Sequence, residues 1–276
     1  MTIRVLAIQP ALRVQQAMPN LHLIRQTVEK HVAAAPADLL VLPEVFNGVS
    51  ADDDPLVGPL ARQFLGTLAR ACNLAVVGSI DLKGDDGRIR NTALLVDRTG
   101  AERGTYVKRV LFGRERELCT PGDGPGIFDL DGLRVGILIC GDLWRADLVA
   151  ELRGRVDVLC VPAKTTVPDA GHTDYARRLW SNLALTRAME AGLPVVVADW
   201  AEARHEAVSL VDGTRVKAVH YTSGATCITD PSRRPVFDAI QQRQSQGDPA
   251  LLAATIDLDA VAAFRDYRRT IGLLPE

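Results

Sequence analysis

The sequence lacks the patterns that mark several large classes of protein. Its five cysteines stand singly and form no CxxC pair, which argues against a disulfide framework or a cysteine zinc site and favours a reducing compartment. No stretch approaches the roughly eighteen apolar residues of a membrane helix. The first residues enter an apolar run without a signal-peptide pattern. We therefore expect a cytoplasmic protein that does not contact a membrane.

An excess of charge of one sign is also missing. The formal net charge is −2, and no basic run extends beyond a few residues, so nucleic acid is not an expected partner. The five histidines show no metal-ligand spacing, and no cofactor motif is present, so we expect neither a metal nor a cofactor. Residues 1–276 contain no repeat, low-complexity tract or linker, which predicts a single domain.

Apolar patterning predicts strands that alternate with helices early in the chain and hairpins later. Helical spacing is found over residues 21–34, 59–71, 147–153 and 175–191. Short apolar runs predict strands over residues 3–8, 38–42, 74–80, 91–96, 105–110, 127–130, 134–139, 156–161, 194–198 and 253–257, with antiparallel pairing of 218–230 and 235–239. This order predicts an α/β fold with mixed sheets.

Three features of the chain refine this prediction. Asn20 stands before the first helical run as a candidate N-cap. Gly192 follows the clearest helical run and is expected to end it in the left-handed conformation. Residues 113–126 form a polar segment rich in glycine and proline, long enough to predict a functional loop.

Three reactive side chains stand at or near the ends of predicted strands. Glu44 and Cys140 each follow an apolar run, and Lys108 precedes the long polar loop. A desolvated carboxylate is a stronger base, and a thiol needs such a base to become a nucleophile at neutral pH. A fixed ammonium stabilises a thiolate and an oxyanion. Taken singly, each residue has a simpler interpretation: a packing cysteine, a solvated carboxylate and a surface lysine.

Four segments, in order, carry a resemblance to a known family. They are VLPEVF (41–46), YVKRVLFGRERELCTPG (106–122), LRVGILICGDLW (133–144) and LTRAMEAGLPVVVADW (185–200). Together they resemble the nitrilase, or carbon–nitrogen hydrolase, superfamily and its amidase-like branch, with similarity over nearly the whole chain. The resemblance implies a four-layer αββα sandwich. It also implies a homodimer or a higher homo-oligomer.

The resemblance implies a role for each reactive residue. Cys140 matches the nucleophile, Glu44 the general base and acid, and Lys108 the cation that stabilises the oxyanion. The backbone N–H of Gly141 matches a second oxyanion donor.

A second glutamate is also implied, to hold the lysine and the substrate. Glu115 occupies that place when counted back from the Pro-Gly pair at 121–122, but the spacing is about one residue short, so Glu117 stays an alternative. Cys119 replaces the usual aromatic residue. Asn91 and Asp142 match residues that support the catalytic groups without touching the substrate.

The substrate pocket is defined less sharply by the sequence. The resemblance nominates residues just after the catalytic ones, namely Phe46, Asn47 and Trp144, together with Lys164. Lys164 has two interpretations, a partner for a substrate carboxylate or an exposed loop lysine. The chain departs from the family pattern at Arg145, and at Asp199 where an asparagine is common, which affects expected substrate and dimer contacts.

The expected activity is hydrolysis of a non-peptide carbon–nitrogen bond in a small amide, of the amidase, ω-amidase or N-carbamoyl type. A thioester forms on Cys140, and ammonia or an amine leaves. Two alternatives stay open: a glutaminase-type ammonia donor to a separate synthetase, and a non-catalytic ligand-binding member of the fold.

Overall fold

The computed structural model describes residues 1–211, 214–232 and 241–274. Its strands are β1 (Thr2–Gln9), β2 (Leu39–Val41), β3 (Ala75–Lys83), β4 (Ile89–Val96), β5 (Glu102–Val107), β6 (Ile127–Leu130), β7 (Leu133–Ile137), β8 (Val158–Pro162), β9 (Thr166–Val167), β10 (Val195–Ala198), β11 (Ala203–Val211), β12 (Thr214–Thr222), β13 (Cys227–Asp230), β14 (Gln241–Gln244) and β15 (Ala250–Asp257). Its helices are α1 (Ala17–Ala34), α2 (Val57–Cys72), α3 (Glu115–Leu118), α4 (Ala146–Leu152), α5 (Thr173–Ala191) and α6 (Leu258–Thr270).

The strands form two six-stranded mixed sheets built on the same plan. The first has the order β15-β1-β2-β3-β4-β5, and the second β14-β13-β10-β8-β7-β6. In each sheet three neighbouring strands are parallel, namely β1-β2-β3 and β7-β8-β10, and antiparallel strands flank them. A third, smaller sheet has the order β11-β12-β9.

The two large sheets pack face to face between layers of helices. Alternate residues of β1 and β2 belong to two different cores: Val5 and Val41 contribute to the core between the sheets, whereas Leu6 and Leu40 face α1 and α2. Helices α4 and α5 add residues such as Trp180 to the core on the far side of the second sheet. Because the parallel strands are buried on both faces, their sequences are continuous apolar runs. This is the expected four-layer αββα sandwich.

The structure confirms the predicted end of the last predicted helix and contradicts the predicted start of the first. Gly192 follows α5 with φ 64°, so the predicted left-handed C-cap is confirmed. The prediction that Asn20 is an N-cap is wrong, since α1 begins earlier, at Ala17. The buried Asn20 side chain instead hydrogen-bonds the backbone of Arg13 and the carbonyl of Asn47. The contacts that the Asn20 side chain makes from α1 to two neighbouring loops therefore outweigh its local preference for an N-cap position.

Several predicted boundaries also move. The strand predicted over 105–110 ends at Val107, and the loop predicted over 113–126 contains the short helix α3. The segment 218–230 holds the end of β12 and all of β13, and its predicted pairing with residues 235–239 is not tested because those residues lie outside the described ones. Among the helices described, none has the length and apolar character needed to cross a membrane.

Candidate active site

Cys140 begins a short 3₁₀ turn three residues after β7 ends. The turn spans Cys140–Trp144, and Cys140 itself has φ 43°, in the left-handed region that few residues other than glycine adopt. Such strained backbone is concentrated at functional sites. A Cβ atom on Gly141 would lie 3.0 Å from the carbonyl oxygen of Val110, so the glycine lets the 109–110 segment approach the turn closely.

The carboxylate of Asp142 holds this turn in place. It accepts hydrogen bonds from the Tyr106 hydroxyl (2.8 Å) and from the backbone N–H groups of Arg109 (3.1 Å), Val110 (2.6 Å) and Ile139 (3.0 Å). Burial raises the pKa of Asp142, and these hydrogen bonds oppose the rise. Asp142 therefore joins the end of the β7 segment to the chain that follows β5.

Glu44 follows β2 and is held by groups from the second sheet. Its N–H donates to the carbonyl of Ala163 (3.1 Å), and its carbonyl accepts a hydrogen bond from the indole Nε1 of Trp200 (2.7 Å). The next residue, Val45, has φ 46°, an outlier for a β-branched side chain. The Glu44 side chain is only 4% exposed. Its carboxylate is thus fixed and shielded from water.

Lys108 lies between two carboxylates. Its Nζ is 2.6 Å from Glu44 Oε1, and 2.8 and 2.6 Å from the two carboxylate oxygens of Glu115. The side-chain amide of Asn91 donates to both glutamates. Burial alone lowers the pKa of Lys108, but Glu44, Cys140 and Glu115 raise it above its usual value. Lys108 therefore stays a cation at neutral pH.

The Cys140 thiol keeps its proton in the resting site. Burial and the neighbouring Glu44 carboxylate raise its pKa well above the ordinary value, and the Lys108 ammonium opposes this. The Sγ atom lies 3.9 Å from the carbonyl oxygen of Lys164. Since the thiolate is the reactive form, such a thiol becomes a nucleophile only when a base removes its proton.

The structure distinguishes the two candidate glutamates of α3. Glu115 contacts Lys108 and accepts a further hydrogen bond from the N–H of Phe112 (2.9 Å). Glu117 is exposed. The short spacing between Lys108 and Glu115 is accommodated because the chain between them turns directly into α3.

The residues nominated for the pocket lie in different environments. Phe46 is fully buried in the core against Phe64 of α2 (6.0 Å between ring centroids), and Trp144 is 46% exposed with its ring edge-on to Trp180. Asn47 is fully buried, and neither polar atom of its side-chain amide finds a hydrogen-bond partner among the described residues. Contact of these three residues with a substrate stays a prediction.

Lys164 follows β8 and is partly buried, with its backbone beside Cys140. Its Nζ lies 4.4 Å from the centroid of the Trp200 ring. Burial lowers the pKa of Lys164, and the surrounding carboxylates oppose this change. The structure therefore favours a functional position over an exposed loop lysine, although Lys164 contact with a substrate stays a prediction.

Asp199 and Trp200 also belong to the site, although the sequence marks Asp199 only as a departure from the family pattern and gives Trp200 no role. Asp199 is fully buried and accepts hydrogen bonds from the N–H groups of Thr165 (2.9 Å), Trp200 (2.8 Å) and Ala225 (2.8 Å) and from the Thr165 hydroxyl. Burial raises the pKa of Asp199 to about 6, and the hydrogen bonds oppose the rise. The available signal was an acidic residue directly after an apolar strand. The sequence places Asp199 among expected substrate and dimer contacts, whereas in the structure its side chain lies in the interior.

A partly buried thiol beside a carboxylate and an ammonium, in an αββα sandwich, is typical of hydrolases that work through a cysteine. The chain belongs to the carbon–nitrogen hydrolase family, whose model matches residues 3–266.

Similar proteins agree with this family. A hydrolase of Pseudomonas protegens is 29% identical over 178 residues, which cover 60% of this chain and 61% of that protein. The match thus spans about three fifths of that relative's length. An omega-amidase of Xenopus laevis is 25% identical over 86% of this chain and 83% of its own. The fold is similar to that of a carbon–nitrogen hydrolase from Helicobacter pylori, with a TM-score of 0.81, 17% identity, and coverage of 99% and 95% of the two chains.

Proposed function

We propose that this protein hydrolyses the carbon–nitrogen bond of a small linear amide through a thioester on Cys140. The observation that carries the proposal is the single buried cluster in which Lys108 binds both Glu44 and Glu115 next to a protonated thiol. The cluster supplies a base, a nucleophile and a fixed cation within one site. An amide is favoured as the substrate because relatives at low identity include omega-amidases.

The reaction begins with transfer of the Cys140 proton to Glu44. The sulfur then attacks the amide carbon, and the negative charge that forms on the amide oxygen is stabilised by Lys108 Nζ and the N–H of Gly141. Glu44 returns the proton to the departing nitrogen as the carbon–nitrogen bond breaks, which leaves a thioester and free ammonia or amine.

Water completes the cycle. Glu44 removes a proton from a water molecule, the resulting hydroxide attacks the thioester carbon, and the carboxylic acid leaves as the Cys140 thiol is restored. Throughout, Glu115 and Asn91 hold Lys108 and Glu44 in position without exchanging a proton. Positioning of this kind is a large share of catalytic power, because reacting groups must meet at the correct distance and angle.

The test is intact-mass and peptide mass spectrometry during turnover of an amide panel that includes N-carbamoyl amino acids, glutamine and nitriles. We expect an acyl adduct on Cys140, absent in Cys140→Ala and retained in the matched control Cys119→Ala. Full turnover by Cys140→Ala would contradict the mechanism. Ammonia release from glutamine alone would favour the ammonia-donor alternative, and no turnover with tight ligand binding would favour the non-catalytic one.

A further inference from the structure

Arg187 of α5 is a buried cation that contacts the turn carrying the nucleophile. Its Nε and Nη2 atoms donate hydrogen bonds to the carbonyl oxygens of Leu143 and Trp144, each at 2.9 Å. Its third contact is an ion pair, in which Nη1 lies 2.6 Å from a carboxylate oxygen of Glu190. A buried charge costs free energy unless its donors are bonded, and these three contacts meet that cost. Arg187 takes no part in the proposed thioester chemistry.

The two carbonyls that Arg187 bonds lie at the carboxyl end of the turn Cys140–Trp144. The last carbonyls of a helical turn have no partner within it, and a basic side chain that bonds them acts as a cap. A guanidinium is planar and carries its N–H groups in a fixed fork, so it bonds two neighbouring carbonyls in one geometry. Arg187 therefore fixes the end of the turn from the α5 side.

The amino end of the same turn has a separate anchor. One oxygen of Asp142 accepts a hydrogen bond from the N–H of Ile139 (3.0 Å), and the other accepts from the N–H groups of the 109–110 segment. Cys140 follows Ile139 and has φ 43°. A residue in this sparsely populated region keeps its conformation only when its surroundings fix it from more than one side. Asp142 and Arg187 supply two such sides.

We propose that Arg187 positions the backbone N–H of Gly141 as an oxyanion donor by fixing the carboxyl end of the turn. The proposal rests on the proposed function, in which this N–H and Lys108 Nζ together stabilise the negative charge on the amide oxygen. Because Asp142 anchors the amino end, Cys140 keeps its place when Arg187 is altered. The peptide groups that follow Cys140 then lose their second anchor. Arg187 is thus a positioning residue that acts on the oxyanion rather than on the thiol.

The experiment compares two reactions of Cys140 in the variant Arg187→Lys, which keeps the positive charge but lacks the fork. The first is hydrolysis of whichever amide the native protein turns over fastest among butyramide, glutamine and N-carbamoyl-β-alanine, and it passes through an oxyanion. The second is labelling by methyl methanethiosulfonate, which forms no oxyanion: the thiolate attacks the divalent sulfur, a disulfide forms and methanesulfinate leaves.

We expect kcat for the amide to fall by about 10- to 100-fold with KM within about threefold, because an interaction made only in the transition state is weakened. The rate of Cys140 labelling, followed by peptide mass spectrometry, is expected to stay within about threefold, because the thiol and its base are unchanged. A loss confined to the reaction that forms an oxyanion separates positioning of the Gly141 N–H from a general structural role.

Two further variants separate the fork from the ion pair and from the helix. Glu190→Gln removes the ion pair and leaves both carbonyl contacts of Arg187, so its kcat should lie within about threefold of the native value. Arg178→Lys changes an exposed arginine of α5 and is the matched control, native in both reactions. Urea unfolding of each variant reports whether the fold persists.

Each other outcome overturns the proposal. Equal losses in hydrolysis and labelling, or failure of Arg187→Lys to fold, would assign Arg187 a purely structural role. Native kcat in Arg187→Lys would show that the fork is not needed, and an equal loss in Glu190→Gln would assign the effect to the ion pair. The amidase function stands in all these cases. No turnover and no Cys140 adduct with any amide in the native protein would instead remove the proposed function, and this inference with it.

Discussion

Lys108 is a buried cation whose environment is set by two carboxylates from distant parts of the chain. The residue is 2% exposed, and its single positive charge faces the two negative charges of Glu44 and Glu115. Removing one partner of a buried ion pair leaves an uncompensated charge, which is more damaging than the pair is stabilising. The balance of charge at this residue therefore determines both the protonation of the site and its geometry.

The variant Glu115→Gln tests the balance of charge at Lys108. The change keeps the shape of the side chain but removes the negative charge next to Lys108, so the ammonium is held less firmly at the oxyanion position. We expect kcat/KM for an amide to fall by about 100-fold, the size of effect typical of a lost transition-state contact. Steady-state ammonia release measures it.

Glu117→Gln is the matched control, since this residue is exposed on the same short helix. Its activity should equal that of the native protein. Equal losses in the two variants would show that α3 tolerates no change, and a loss only in Glu117→Gln would identify Glu117 as the second glutamate.

Asp199 links two elements of the second sheet, because its side chain joins the segment after β8 to the segment after β10. Its first oxygen accepts from the N–H groups of Thr165 and Trp200, and its second from the N–H of Ala225 and the Thr165 hydroxyl. Through Thr165 it holds the Lys164 carbonyl at the thiol, and through Trp200 it holds the backbone of Glu44. One carboxylate thus aligns Glu44 with Cys140.

Asp199→Asn removes this arrangement with little change of volume. Both oxygens of Asp199 face backbone donors, so the NH₂ of an asparagine must face at least one N–H. We expect a loss of about 1–3 kcal/mol in the free energy of unfolding, and a lower kcat with a smaller change in KM. Urea unfolding and steady-state kinetics measure the two effects. Thr165→Ser keeps the hydroxyl and is the control; native kinetics in Asp199→Asn would contradict the positioning role.

The pKa of Asp199 also predicts a dependence of stability on pH. Burial raises it to about 6 in the folded protein, against about 3.9 for an unperturbed aspartate. Between pH 4 and 6 the folded state retains a proton that the unfolded state has lost, so the contribution of Asp199 to stability decreases as pH rises through this window. An asparagine does not titrate.

The difference in unfolding free energy between native protein and Asp199→Asn should therefore change by about 2 kcal/mol between pH 4 and pH 7, with the native protein relatively more stable at pH 4. Urea titrations of both proteins at the two pH values measure it. A difference that does not vary with pH would show that Asp199 has an ordinary pKa in the fold.

The site depends on the whole molecule, because it forms where the two six-stranded sheets meet. Glu44 and Lys108 follow strands of the first sheet, whereas Cys140 follows a strand of the second. The hydrogen bonds from Trp200 to Glu44 and from Glu44 to Ala163 cross between the sheets. Packing of the two sheets against each other is thus what brings Glu44, Lys108 and Cys140 together.

We expect the sandwich to pair with a second copy through the face formed by α4 and α5. Trp144 lies half exposed there against Trp180 of α5, and a large exposed aromatic side chain is typical of an interface. Sedimentation at micromolar concentration should show a dimer, and Trp144→Glu should shift it towards monomer.

Leu56→Glu is the control for that experiment. Leu56 is 76% exposed next to α2, in the helix layer on the opposite side of the sandwich, so its substitution should leave the dimer unchanged. A monomeric native protein, or a dimer sensitive only to Leu56→Glu, would contradict the proposed interface.

Local sequence patterns were enough to predict the α/β class, most strands and helices, and Cys140, Glu44 and Lys108 as the reactive residues. These features depend on local apolar period and on short motifs next to strand ends, which are visible in a single chain. The same local rules misplaced Asn20 and left Glu117 open as an alternative to Glu115, because each outcome depends on a contact with another segment.

The partners and the burial of the remaining residues depend on how distant segments pack together. The indole N–H of Trp200 donates a hydrogen bond to the carbonyl of Glu44, which is 156 residues away in the sequence. The environment of Lys164 follows from the same packing. Burial and pairing are properties of the space that distant segments enclose, so a residue's own neighbours in sequence do not specify them. For that reason Asp199 was noticed in the sequence as a departure from the family pattern, while its place at the centre of the site emerged only when the two sheets came together.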